Sequence, residues 1–208
     1  MTELLFALGR IAGLGTAAGI RPALTMAAIG LMHNLHAGTT LNEPFAFLGH
    51  WITIVIFIFL GIVESALDKI AGVDRLQSRL SMPYRIVMGG VAAAATMPYG
   101  WWGVALGLVV GGSVSWFANF TKQRVRPRTL RSGASIILMS LWEDVASVVT
   151  TLVTLAFSPF GFLALGFTTV MYASNRYIYL AKYRKMRREA GTEHPLATES
   201  THRKRRAR

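Results

Sequence analysis

The sequence predicts an all-α, polytopic membrane protein of about six spans, and three observations carry that prediction. The first is a pair of long uncharged runs, 36 residues from Ile86 to Thr121 and 31 from Val145 to Asn175. A bilayer core about 30 Å thick takes roughly 20 apolar residues per helix, so each run holds about two crossings. The second is composition: mean hydropathy is +0.42 and charged residues make up only 15%, well below the roughly 25% of soluble domains. The third is the placing of cations. They gather in Lys69–Arg85, in Lys122–Arg131 and beyond Lys182, while Asn34–Phe47, Pro98–Gly100 and Ser158–Pro159 carry no Lys or Arg. Six spans with both termini inside put every basic region in the cytoplasm, as the positive-inside rule requires.

The first span covers Glu3–His33 and is interrupted near Gly15–Pro22. Glycines at 9, 13, 15 and 19 precede Arg21-Pro22, a concentration that an unbroken helix disfavours. Pro22 suits the first position of a new helical segment. The break would leave free backbone N–H groups and a positive helix end beside Arg21. Interrupted helices of this kind form substrate sites in secondary transporters. A packing kink with Arg21 neutralised by a carboxylate is the structural alternative.

The second span, Leu48–Ile70, ends with Glu64 and Asp68 on one helix face and Lys69 beside them. The third, Pro83–Met97, is short, about 22 Å. Trp101–Thr121 forms the fourth, where Gly103, Gly107, Gly111 and Ser115 recur every fourth residue. Small residues at that spacing let backbones approach in lipid. Packing within one subunit is favoured over a homodimer seam. The fifth span, Leu141–Phe157, opens with Glu143 and Asp144, and Ser140 with Glu143 fits a capping box. The sixth runs from Phe160 to Lys182.

Residues 1–182 thus form the membrane domain, and 183–208 read as a basic, disordered cytoplasmic tail. Much of the net charge of +12 lies in that tail. Anionic lipid headgroups are its expected partner, and nucleic acid is not. Glu3 and Arg10 argue against a cleaved signal peptide, so the expected location is the inner membrane, multi-pass. The absence of cysteine excludes disulfides and thiolate chemistry. His33 and His36 with Glu43 and His50 make a weak metal set, and no metal, cofactor or enzymatic activity is assigned.

Ionisable groups within spans usually face a bundle interior. Arg21, Pro22, Gly19 and Arg126 are therefore the candidate substrate contacts. Glu64, Asp68, Lys69, Glu143 and Asp144 are candidates for proton coupling or charge balance. Arg21-Pro22 and Arg126-Pro127 hint at an inverted repeat. Transport of a small solute, with an anion suiting Arg21, is the leading functional expectation. A non-catalytic scaffold or accessory subunit, or lipid-headgroup translocation, stands as the alternative.

Three stretches carry a family resemblance: Ala17–Pro22, Val63–Asp74, and Lys122 through Arg126-Pro127 to Ser140-Leu141-Trp142-Glu143-Asp144-Val145. Together they resemble the bacterial integral-membrane family catalogued as domain of unknown function 4126. Members often carry Asn-Pro where this chain has Ile136-Ile137-Leu138-Met139, so the approach to the fifth span differs. The resemblance implies a small polytopic membrane protein and supplies no activity.

Overall fold

The computed structural model describes residues 2–37, 39–67, 81–98, 100–125 and 133–192, and these contain helices and no strands. The elements are α1 (Thr2–Ile20), α2 (Pro22–Asn34), a 3₁₀ segment (Glu43–Gly49), α3 (Trp51–Leu67) and α4 (Met82–Ala95). There follow α5 (Gly100–Leu106), a π-helical turn (Gly107–Gly111), α6 (Gly112–Val125), α7 (Gly133–Ala156) and α8 (Phe160–Thr192). Asp68, Lys69 and Arg126 lie outside the described residues, as does Pro127.

Among the described residues, three helices are long and apolar enough to cross a membrane: Thr2–Ile20, Gly100–Arg124 and Ile137–Ala156. The 3₁₀ segment and α3, bent by 69° at their junction, make a fourth if taken as one span. Burial follows membrane logic. Ile52 and Phe59 on α3 are 76% and 64% exposed, whereas Arg21, Thr25, Ser115, Ser140 and Ser147 are 0% exposed. An apolar exterior, with the buried polar side chains set among an apolar core that includes Leu14, Met26 and Ile29, is the arrangement a bilayer rewards.

The chain divides into two compact units, Met1–Thr169 and Val170–Arg208. In the second, α8 continues as helix to Thr192 and exposes Val170, Tyr177, Ile178 and Tyr179. Helix thus extends past Lys182, where the sequence reading placed the end of the membrane domain.

Within the first unit, α1 packs on α4, α6 and α7. Its glycines do not interrupt it. A methyl built at Gly9 would fall 2.5 Å from Ser158 O, and one at Gly19 would fall 2.5 Å from Ser115 O. These residues remain helical because their neighbours' backbones touch them, the use that small residues serve between membrane helices. The same holds in the π-helical turn, where Gly107 faces Ala94 and Gly111 faces Gly89 and Ala93 of α4. Gly107 and Gly111 of that stripe thus touch α4 of the same chain.

The break falls at Arg21, which leaves α-helical geometry (φ −143°, ψ 84°) ahead of Pro22 at the start of α2. Here the sequence reading of one interrupted span needs correction, because α1 alone has the length of a span and α2 turns back. Arg10, midway along α1, bonds Thr96 O and Ser158 Oγ. At the far end of α1, Arg21 meets Glu64, Ser140 and Asp144. The chain then returns. At the end of α2, His33 bonds Thr39 O, and Asn42 in the following segment bonds Ala94 O and Met97 O, beside Thr96.

Candidate functional site

The reversal between α1 and α2 sets the local chemistry. A helix that stops leaves its last carbonyls without partners and a partial negative charge at its end. In this chain two cations meet that need. Arg85 donates to the carbonyls of Gly19, at 3.2 Å, and Ile20. Lys122 donates to Ile20 O at 3.2 Å. Ser147 adds hydrogen bonds to Ala17 O at 3.1 Å and Arg21 O at 3.4 Å.

The Arg21 side chain is fully buried, and carboxylates surround it. Its Nε is 2.5 Å from Asp144 Oδ1, its Nη2 is 3.5 Å from Glu143 Oε2, and its Nη1 is 4.0 Å from Glu64 Oε1. Nη2 also donates to Ser140 Oγ at 2.9 Å. Glu64 pairs in turn with Arg85, and Glu143 with Lys122 at 2.8 Å. Ser65 Oγ donates to the other oxygen of Asp144 at 2.8 Å.

Among the described residues, three cations therefore face three carboxylates. The groups come from the α1–α2 break and from α3, α4, α6 and α7. Removing ions from water costs several kcal/mol each, and only dense pairing with extra hydrogen bonds offsets it. A helix end, three carboxylates and three serines provide that pairing.

Of the residues singled out in the sequence, Arg21, Glu64, Glu143 and Asp144 converge here. Gly19 contributes its carbonyl, and Pro22 starts α2. Asp68, Lys69 and Arg126 lie outside the described residues. Sequence reasoning missed Arg85 and Lys122 as site residues, since both were counted with cytoplasmic loops. Each flanks an end of the uncharged run Ile86–Thr121, and that position was the available signal. The expected capping box is also corrected. Helix α7 begins at Gly133, so Ser140 sits in its interior and accepts from Arg21 instead of capping.

A line of buried hydroxyls extends from this cluster. Ser140, Ser147, Thr151, Thr154 and Ser158 are each at most 3% exposed. Spaced by seven, four, three and four residues, they share one side of α7 and the turn after it, over about 27 Å. Thr25 joins the line, 3.2 Å from Ser147 Oγ and 3.4 Å from Thr151 Oγ1. Thr154 Oγ1 is buried, with no hydrogen-bond partner among the described residues. Ser158 accepts from Arg10 at the opposite end.

A family model described as "Domain of unknown function (DUF4126)" matches residues 8–176. The chain belongs to this family. The DUF4126 match contains all six charged residues of the cluster and the whole hydroxyl line, and stops before the basic tail. No curated protein and no solved structure matches the chain.

Proposed function

We propose that this DUF4126 protein carries a small anion across the membrane together with a proton. The observation that supports this reading most strongly is the neutral cluster buried at the α1–α2 reversal. A replaceable carboxylate, Asp144, lies against the Arg21 guanidinium there. Protonation of Asp144 cancels its charge and frees Arg21 to pair with an entering anion. One proton and one anion arrive together, so the cluster stays neutral and no charge is stranded in low dielectric. Arg21 is the substrate contact, Asp144 takes the proton, and Glu64 and Glu143 hold Arg85 and Lys122 on the end of α1. The hydroxyl line offers polar partners towards the other end of the helices.

The cluster lies at the cytoplasmic side in this reading, because Arg85 and Lys122 lead into the basic connections. In this reading α1 begins outside, in place of the cytoplasmic N-terminus expected from the sequence, and the basic tail lies inside. A bacterial inner membrane fits that arrangement.

The test is flux. Protein reconstituted in phosphatidylcholine vesicles with a trapped pH dye receives external chloride, phosphate or gluconate. Wild type should acidify the interior faster than protein-free vesicles with at least one anion, and Asp144→Asn should not. Rates equal to those of empty vesicles for all three would defeat the reading and favour an accessory, non-transporting role.

A further inference from the structure

We infer a second anion site, built on Arg10 midway along α1. The inference is independent of transport, since it concerns binding at equilibrium. Arg10 is half-buried beside a recess of about 480 Å³, within the range of small-molecule sites. Its Nε donates to Ser158 Oγ at 3.2 Å and its Nη1 to Thr96 O at 3.0 Å. A guanidinium has five N–H donors in a fixed fork, so these two bonds set its plane and leave three donors.

Arg21, Arg85 and Lys122 each pair with a carboxylate, but among the described residues no carboxylate lies within ion-pair distance of Arg10. Glu3 lines the same recess from two turns earlier on α1, at its exposed rim. A cation with no described carboxylate in ion-pair contact, and with forked donors beside a cavity, suits a carboxylate or phosphate oxygen pair.

The other walls define the rest of the ligand. Phe6, Ala7 and Pro98 give the recess an apolar side, which suits a hydrocarbon portion next to the anionic head. Glu3 disfavours added negative charge. The ligand class is thus a monoanionic carboxylate or phosphate bearing an apolar body, as in a short-chain fatty acid or a phospholipid.

Binding to the full-length protein in neutral detergent tests this, with butyrate and inorganic phosphate titrated calorimetrically. In parallel, phosphatidylglycerol is titrated into phosphatidylcholine nanodiscs holding the protein, and bound lipid is read by native mass spectrometry. Saturable binding of butyrate or phosphate supports the site and identifies a free solute. Retention of phosphatidylglycerol alone supports it and identifies a lipid headgroup. Arg10→Gln should weaken the observed binding at least tenfold, and Glu3→Gln should strengthen it. Thr2→Trp closes the mouth from an exposed position without touching Arg10, and should weaken binding even if Arg10→Gln does not fold. Absence of binding by all three probes, or affinity within twofold of wild type in Arg10→Gln or Thr2→Trp, would overturn the inference.

Discussion

Arg21 Nε and Asp144 Oδ1 stand 2.5 Å apart, joining the point where the first helix ends to the interior of α7. A fully buried guanidinium depends on such a contact. Arg21→Ala leaves Asp144 and Glu143 without their shared cation, and loss of one partner of a buried pair costs about 3–5 kcal/mol. Thermal unfolding in detergent should show a large fall for Arg21→Ala. Arg21→Lys, which keeps the charge and loses the fork, should fall less.

The residues of this pair were legible in the sequence, and their surroundings only partly so. Pro22 lacks an N–H and presets its φ, so the break at Arg21 could be read locally. The glycines misled for a physical reason. Low helix propensity is a local property, whereas the contact between Gly19 and Ser115 O that holds Gly19 in a helix comes from another element. Arg85 and Lys122 read as loop cations because one-dimensional charge counting cannot see a helix end turning towards them. The return of α2 was hidden because a break and a reversal leave the same proline signature.

The glycine contacts carry their own prediction. A methyl at Gly161 would run into the backbone of Gly9 and Gly13, while one at Gly166 meets nothing within 4 Å. Gly161→Ala should lower stability by about 1–3 kcal/mol through overpacking. Gly166→Ala should be neutral or gain up to about 1 kcal/mol from helix propensity. Comparing the two unfolding midpoints checks both signs.

The reversal at Arg21 can be mapped directly, because the chain has no cysteine of its own. A single Thr2→Cys should react with a membrane-impermeant maleimide in intact cells. A single Ser200→Cys, in the basic tail, should react only after permeabilisation. Protection of both in intact cells would show that α1 and α2 form one interrupted crossing.

Thr154 separates stability from function. Its buried hydroxyl has no hydrogen-bond partner among the described residues, and an unsatisfied buried polar group costs about 1–3 kcal/mol. Thr154→Val keeps the shape and removes that cost, so the unfolding midpoint should rise. If the hydroxyl line serves permeation, vesicle flux should fall in the same variant.

The most direct test of the central claim uses the double variant Arg21→Gln with Asp144→Asn. Neutralising both partners removes the charge pair without stranding either ion, so the protein should unfold at a temperature close to wild type. This folded protein should have lost proton-coupled anion flux in vesicles. Wild-type flux in the double variant would rule out anion binding at Arg21 and make Arg21 and Asp144 a structural pair.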